Sequence, residues 1–480
     1  MELIIIISSL TLAALIAVLV KHRGVIEFVS IVAMVIVFVE SIVVAIRVAT
    51  SGDYAPFTFL FIDALGSLLI LIIACVGLAA VVYSVPYLRR ETATTIIGFT
   101  RVKQYYILLN LFSVAMFLAI SSSSPILAWI SIEATTLSTA FLISFYNKPS
   151  AMEAAWKYLI INSIGLLLGF LGTLLYFTSI DPSIGNGFVS WQTLGENALH
   201  MDPLLAKIAF IFVLIGYGTK VGLAPMHTWL PDAHSKAPSP VSALLSGVLL
   251  NVALVIVLRF KLITDTVIDQ AFTETLLISF GVVSILISAL IILDQKSYKR
   301  LLAYSSIENM GIIALGFGFG GLAVIAAIFH IIFHSLVKPA LFFLSGNLLI
   351  TYHSAKIANV KGALKVVPMT SILFIVGFFA ITGAPPFGIF LTKLLIFSAG
   401  IRIQPLVVIA VVFCTALVFI GFFKHVTAMV FGEKPPEIKQ EKENIWLILP
   451  SLVLLIIVLI LSFYQPPFLL TLINTAALRY

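Results

Sequence analysis

Six of the ionisable residues that lie inside long apolar segments of this chain restrict its fold more than any other feature of the sequence. They are Glu133, Lys220, His330, His334, Lys338 and Lys393. A charge at the centre of a bilayer-spanning helix costs about 2.5–3.5 kcal/mol on insertion scales. A chain that carries several of them beside helix-breaking prolines is expected to use them to move ions.

The composition predicts an all-α polytopic membrane protein. Of the 480 residues, 61% are hydrophobic and 10% are charged, unlike a soluble globular domain. A spanning helix needs about 20 mostly apolar residues, which predicts about 14 spans here. The predicted spans are 3–20, 25–47, 60–83, 104–122, 125–145, 156–178, 204–230, 240–260, 271–293, 301–318, 321–350, 368–398, 404–430 and 444–463.

Two of these spans, the seventh and the twelfth, are predicted to be broken. Gly222 and Pro225 follow Lys220 in the seventh, and Gly383, Pro385 and Pro386 precede Lys393 in the twelfth. Proline removes a backbone donor and clashes with the preceding turn. Paired broken helices are typical of transporters built from inverted repeats. The pattern also fits ordinary proline-bent helices.

The basic residues predict the orientation of the chain. Most of the 28 lysines and arginines fall in loops after odd-numbered spans, whereas Arg47, Arg259, Lys261 and Arg402 are assigned to loops after even-numbered spans. The positive-inside rule then places both termini outside. The net charge of +7 therefore requires no nucleic-acid partner, and the first apolar stretch is interpreted as a span and not as a removable signal.

The sequence offers no site for a cofactor in this chain. Its two cysteines, Cys75 and Cys414, lie in apolar segments and are too few for an iron–sulfur cluster or a cysteine-based zinc site. No glycine-rich nucleotide-binding motif follows a strand. Any redox chemistry is therefore expected in other subunits.

Glu133 and Lys220 are predicted to form an ion pair with a switchable charge state. A carboxylate nearby stabilises the charged form of a buried ammonium, so moving the carboxylate would load or unload the lysine. The alternative for Glu133 is a carboxylate held by a local partner.

His330, His334 and Lys338 follow one another at intervals of four residues, on one face of the eleventh span. Histidine titrates near neutrality, so this face is predicted to relay protons. The alternatives are two core histidines bonded to the backbone, or half of a metal site.

Lys393 is interpreted as a terminal proton carrier, or as a lysine that snorkels to a membrane face. His227, Asp232, His234 and Lys236 lie in the proline-rich link after the seventh span. That link is either a plain turn or a point of proton delivery towards Lys220.

The run Gly218–Gly247, which begins Gly-Thr-Lys-Val-Gly-Leu-Ala-Pro-Met-His, closely resembles the signature of antiporter-like membrane subunits. This proton-conducting family occurs in respiratory complex I, Mrp-type cation/proton antiporters and energy-converting (group 4) hydrogenases. Lys299–Gly311, His330–Gly346 and Gly383–Lys393 also resemble it. The wording of these motifs is most similar to the component F subunits of hydrogenase-4 and formate-hydrogenlyase-type complexes.

The resemblance implies a domain organisation and a set of proton-translocating residues. It divides the chain into three N-terminal spans (1–103), two inverted five-helix repeats (104–260 and 271–430) and a last helix with its tail (444–480). The implied proton-translocating residues are Glu133, Lys220, His234, His330, His334, Lys338 and Lys393. Accessory candidates are His227, Asp232 and Asn251; many relatives carry a lysine at the position of Asn251, and a neutral amide cannot hold the proton.

Three hypotheses follow for the function. The first is a proton-translocating subunit of a redox-driven complex in a prokaryotic cell (inner) membrane, with iron–sulfur clusters, and nickel–iron in a hydrogenase, in partner subunits. The second is a subunit of an Mrp-type cation/proton antiporter without redox partners, driven by ion gradients alone. Sodium is a candidate ion beside protons under either hypothesis. The third is a structural subunit that kept the fold but not the conduction, which Asn251 would permit.

Overall fold

A computed structural model describes residues 1–94, 96–180, 189–438 and 442–480, and these ranges are almost entirely helical. The helices are α1 (Glu2–Leu19), α2 (Arg23–Ser51), α3 (Ala64–Ala93), α4 (Phe99–Ser121), α5 (Pro125–Ile143), α6 (Pro149–Tyr176), α7 (Trp191–Glu196), α8 (Pro203–Val221), α9 (Trp229–Lys236), α10 (Ser239–Leu244), α11 (Leu250–Val267), α12 (Gln270–Ile292), α13 (Tyr298–Phe319), α14 (Leu322–Tyr352), α15 (Ala363–Val366), α16 (Pro368–Thr382), α17 (Gly388–Gly400), α18 (Pro405–Val430), α19 (Ile445–Phe463) and α20 (Pro467–Ala477). Two short strands, β1 (Tyr54–Phe57) and β2 (Leu60–Ile62), form an antiparallel pair between α2 and α3.

The helices confirm the predicted polytopic architecture. In the described residues, 13 helical segments are long and apolar enough to cross a membrane. One of them is α8 together with α9, and another joins α10 to α11 through a π-helix at Leu245–Leu249. The shorter helices α16 and α17 follow each other and supply the remaining predicted crossing. Helices suit this environment because they satisfy their backbone hydrogen bonds internally.

The centre of the bundle is formed by α10, α11, α13 and α14, whose side chains are almost all buried. The outer helices, among them α2, α6 and α18, instead expose large apolar side chains along one face. Close packing in the bundle depends on small residues. A Cβ atom on Gly216 of α8 would lie 2.2 Å from the backbone nitrogen of Gly169 in α6, so Gly216 has no room for a side chain.

The two predicted helix breaks are confirmed, and at both of them a glycine in the left-handed conformation ends the helix. Helix α8 ends at Val221, and Gly222 then adopts a left-handed conformation with φ +81°. Helix α16 ends at Thr382, and Gly383 follows with φ +85°. Glycine adopts this conformation without steric cost, which stops a helix within one residue. Both breaks therefore leave helix ends inside the bundle.

The predicted position of two basic residues was wrong. Arg259 and Lys261 were assigned to a loop, but α11 continues to Val267 and both side chains are buried. Arg259 pairs with Asp63, with 3.5 Å between Nη2 and Oδ1, and Lys261 pairs with Asp265, with 2.6 Å between Nζ and Oδ2. Buried charges persist when they are paired, so these residues do not mark the end of the span.

The region after the last predicted span also contains a helix that the sequence did not indicate. Helix α20 is an 11-residue segment that begins at Pro467. It packs against α2, α3 and α14.

Candidate functional site

Glu133 projects from α5 and is partly buried. Its Oε1 accepts a hydrogen bond from Ser163 Oγ of α6 at 2.9 Å. Its Oε2 is buried and has no hydrogen-bond partner among the described residues. Half of this carboxylate is therefore available to another group.

Lys220 lies in the last turn of α8 and is fully buried. Its Nζ donates to Thr136 Oγ1 at 2.9 Å and to the hydroxyl of Tyr158 at 2.6 Å. The ammonium also lies 4.7 Å from the centroid of the Tyr158 ring, which is favourable for a cation. The lysine is thus held by hydroxyl groups of α5 and α6.

The predicted direct ion pair between Glu133 and Lys220 is absent from the structure in the residues it describes. The two groups remain close, because Thr136 is one helical turn from Glu133 on the same face of α5. We call this arrangement, in which Glu133 and Lys220 each bind separate partners, an open pair.

A second carboxylate and lysine form a closed pair. Glu308 Oε1 of α13 accepts from Lys393 Nζ of α17 at 2.8 Å, and both side chains are buried. Glu308 Oε2 accepts from Asn309 Nδ2 at 2.6 Å. A pair of buried charges is retained when further hydrogen bonds satisfy its remaining lone pairs and protons, and Asn309 supplies one of these.

The helix break supports Lys393 in this pair. Lys393 Nζ also donates to the carbonyl oxygen of Thr382 at 3.2 Å. Thr382 is the last residue of α16, and carbonyl groups at a helix C-terminus lack intrahelical partners and carry partial negative charge. The end of α16 therefore stabilises the ammonium inside the membrane.

His330 extends the closed pair by hydrogen bonds. Its Nε2 lies 2.9 Å from Asn309 Oδ1, and its Nδ1 lies 2.8 Å from Thr392 Oγ1. An unbroken series of contacts therefore runs from His330 through Asn309 and Glu308 to Lys393.

Lys338 is bound to the backbone of α13. Its Nζ donates to the carbonyl oxygen of Leu302 at 2.7 Å and to the hydroxyl of Ser305. His334 stands one turn from both Lys338 and His330 on α14, and neither of its ring nitrogens has a hydrogen-bond partner in the described ranges. A buried imidazole with both nitrogens unpaired is unusual, because buried polar atoms are normally hydrogen-bonded.

Asn251 joins α11 to the middle of α14. Its Nδ2 donates to Ser335 Oγ at 2.8 Å and to the Gly247 carbonyl oxygen at 3.1 Å, whereas Oδ1 has no partner within the described chain. The amide therefore lies beside His334, the residue that precedes Ser335 in the sequence.

The residues of the link after α8 have different environments. His234 is fully buried, stacks on Phe342 with 4.9 Å between ring centroids, and leaves both ring nitrogens unpaired in the part of the chain described here. His227 is buried next to the ring of Tyr304. Asp232 instead pairs with Arg300 near the surface. The geometry thus places His234, and not Asp232, with the buried groups.

Four residues at the site were missed as candidates. Glu308 is an ionisable residue inside the apolar segment 301–318, so the criterion that found Lys393 could have found it. Asn309 follows it in the same motif. Thr136 gave no signal, because a threonine hydroxyl in a membrane helix commonly bonds to the backbone of its own helix. Tyr158 gave none, because a tyrosine in an apolar segment is an ordinary packing residue.

Comparison with known proteins identifies the family. The family described as NADH:quinone oxidoreductase/Mrp antiporter, transmembrane region, matches residues 122–421. The hydrogenase-4 component F homolog of Methylacidiphilum infernorum is 39% identical over 367 residues, which are 75% of this chain and 77% of that protein. A Na(+)/H(+) antiporter subunit of Alkalihalophilus pseudofirmus is 30% identical over 452 residues, or 87% of this chain and 54% of that longer protein.

Two solved structures show the same fold. A chain of the membrane-bound sulfane sulfur reductase, an archaeal respiratory membrane complex, superposes with a TM-score of 0.87 at 22% identity and covers 100% of this chain and 96% of that chain. A chain of the Mrp complex from Dietzia sp. DQ12-45-1b superposes with a TM-score of 0.85 at 19% identity, over 99% and 97% of the two chains. The resemblance noted in Gly218–Gly247 is thereby confirmed. The chain belongs to the NADH:quinone oxidoreductase/Mrp antiporter family of membrane proteins.

Proposed function

We propose that this chain is a proton-translocating, antiporter-like subunit of a redox-driven membrane complex of the energy-converting hydrogenase or complex I type. The observation that carries the proposal is the buried series of contacts from His330 through Asn309 and Glu308 to Lys393. It continues along α14 to His334 and Lys338. Ionisable groups inside a membrane bundle are expensive, and they mark ion pathways.

The two lysine–carboxylate pairs suggest how charge would be moved. The pair Glu133–Lys220 is open and the pair Glu308–Lys393 is closed. Because attraction between charges is strong in a medium of low polarity, closing the first pair would favour a proton on Lys220, and opening the second would favour its release from Lys393. Protons would pass between the two pairs through Lys338, His334 and His330.

The driving force would come from other subunits. This chain offers two cysteines, both in apolar helices, so electron transfer is assigned to iron–sulfur subunits, with nickel–iron in a hydrogenase. Multi-subunit complexes among the structural relatives support the presence of partners. We further propose inverted repeats at 104–260 and 271–430, and a cell membrane location with both termini outside.

An Mrp-type antiporter subunit is the second candidate. It is favoured by the 30% identity to a Na(+)/H(+) antiporter subunit over 87% of this chain. In that case the gradient of one ion drives the other, sodium is exchanged for protons, and no redox subunit takes part.

Purification of the tagged chain from its own membranes in mild detergent would separate the candidates. Mass spectrometry and iron analysis should find iron–sulfur or nickel–iron subunits under the first proposal. Small membrane subunits without iron would overturn it in favour of the antiporter, and sodium/proton exchange in liposomes would then be measured.

Replacing Lys220 tests transport under either candidate. We expect Lys220→Ala to abolish coupled proton transport in membrane vesicles while the complex still assembles. Transport at the normal rate by an assembled Lys220→Ala complex would rule out the proposed role of this lysine.

A further inference from the structure

A cavity of about 450 Å³ opens at one end of the bundle, where α3 ends and α6 and α13 begin. Glu91, Lys299 and Tyr146 line it. None of these belongs to the series of groups described above. By the distribution of basic residues, this end faces the cytoplasm.

Glu91 is a buried carboxylate with one free oxygen. Its residue is 7% exposed, and its Oε1 accepts a hydrogen bond from the hydroxyl of Tyr146 at 2.5 Å. The hydroxyl of Tyr146 in turn lies 2.9 Å from the hydroxyl of Tyr87. Oε2 has no hydrogen-bond partner among the residues described. A buried carboxylate that lacks a partner calls for an explanation, because its desolvation is costly.

Lys299 lines the same cavity and is 1% exposed. It is close enough to Glu91 for the two charges to interact, as is Lys148 on the rim. Lys299 Nζ donates to the carbonyl oxygen of Ala237 at 2.9 Å. This contact brings the ammonium to the segment that carries His234.

His234 is placed near both Lys299 and Lys338 by two contacts. Lys299 binds at Ala237, three residues after His234, and the His234 ring stacks on Phe342, one helical turn from Lys338 on α14. Its ring nitrogens have no hydrogen-bond partner among the described residues. Lys338 in turn binds the carbonyl oxygen of Leu302, which is three residues beyond Lys299 in α13. At 1.5 Å per residue, Lys299 and Leu302 are only about 4.5 Å apart along the axis of α13.

We propose that Glu91 and Lys299 form a proton-uptake pair that supplies Lys338 through His234. The proposal rests on the proposed function and adds to it the place where protons enter. It differs from a route through His234 to Lys220, because the contacts around His234 lead to Lys299 by way of Ala237 and to α14, which carries Lys338, by way of Phe342.

Each transfer moves one proton. Glu91, Lys299 and His234 each return to their starting protonation state after one cycle. Hydronium in the cavity gives a proton to the Glu91 carboxylate and becomes water. The carboxylic acid passes the proton to the neutral amine of Lys299 and becomes a carboxylate again. The Lys299 ammonium protonates one ring nitrogen of His234, and the imidazolium releases a proton to the neutral amine of Lys338.

The charge of the cavity lining favours protons over alkali ions at this entrance. Arg90, Lys148 and Lys236 lie on its lining beside Glu91. These side chains repel any small cation, but a proton can cross the cavity by exchange along hydrogen-bonded water, which is a route that an alkali ion lacks. The uptake pair should therefore work at the same rate with and without sodium.

The test compares variants of the intact complex in membrane vesicles, with proton transport followed by a pH-sensitive dye. Glu91→Gln keeps the shape of the side chain but cannot carry the proton, and should slow transport by at least about tenfold, with Glu91→Asp restoring part of the rate. The matched control is Glu153→Gln, which changes an exposed glutamate of α6 near the same end and should leave the rate unchanged. Lys220→Ala serves as the control for the proposed function.

The outcomes separate the two proposals. Normal transport by Glu91→Gln, together with loss in Lys220→Ala, would overturn the uptake pair and leave the proposed function in place. Normal transport in both would overturn both. If Glu91→Gln does not assemble, Lys299→Gln keeps the carboxylate and its tyrosine and should show the same loss; normal transport in that variant would overturn the proposal.

Discussion

The buried pair Glu308–Lys393 allows a quantitative prediction. Glu308 Oε1 and Lys393 Nζ are 2.8 Å apart, and at an effective dielectric constant of about 20 their Coulomb attraction is about 6 kcal/mol. Desolvation offsets part of this, and removal of one partner from a buried pair typically costs about 3–5 kcal/mol. We therefore expect Glu308→Gln to lower the free energy of unfolding by about 3–5 kcal/mol.

The same substitution should stop transport. Without the carboxylate, Lys393 loses the counter-charge that it has in the described ranges. The Thr382 carbonyl oxygen and the Gln oxygen remain as hydrogen-bond acceptors, but the ammonium can avoid an uncompensated charge only by releasing its proton. Transport in vesicles and unfolding in mixed detergent and SDS micelles would be measured on the same purified complex.

Two further variants test whether Glu308 and Lys393 stabilise the fold as a pair. Glu153→Gln breaks an exposed pair with Lys157 and should leave stability unchanged, because exposed pairs contribute little. Adding Lys393→Met to Glu308→Gln should recover stability, since no buried charge remains unpaired. A loss below about 1 kcal/mol in the single variant, with a further loss in the double variant, would refute the pair as an energetic unit.

Two further substitutions test the packing and the buried charges. Gly216→Ala places a methyl group against Gly169 and should cost about 1–3 kcal/mol in the same unfolding assay, whereas Gly195→Ala, which meets no atom within 4 Å, should stay within about 0.5 kcal/mol; equal effects would contradict the close helix crossing. Arg259→Leu leaves Asp63 buried without its cation and should cost about 3–5 kcal/mol, most of which Asp63→Asn in the same chain should restore; failure to restore it would contradict the pairing.

The sequence predicted the fold well because the membrane restricts it. Length and apolar composition indicate a spanning helix, and glycine followed by proline indicates a break, so the interruptions beside Lys220 and Lys393 were found. The same approach misplaced Arg259, because a basic residue near the end of an apolar segment was taken as the end of the span. Its partner Asp63 lies 196 residues away, and the sequence around either residue does not indicate that pairing.

The candidate site was predicted less completely, for a related reason. Ionisable residues in apolar segments can be found one by one, but their partners depend on how helices pack. Lys220 contacts Thr136 and Tyr158 and not Glu133 in this structure, and the partner of Lys393 is Glu308. The roles of these residues in transport stay predictions until they are measured.

The break at Gly383 also fixes where a charge rests inside the membrane. A Cβ atom at this position would lie 3.1 Å from Cδ of Lys393, so the lysine side chain lies across the bare backbone of the glycine. From there its ammonium reaches the carbonyl oxygen of Thr382. Glycine at this position therefore serves two purposes, because it ends α16 and leaves room for the side chain that binds to that end.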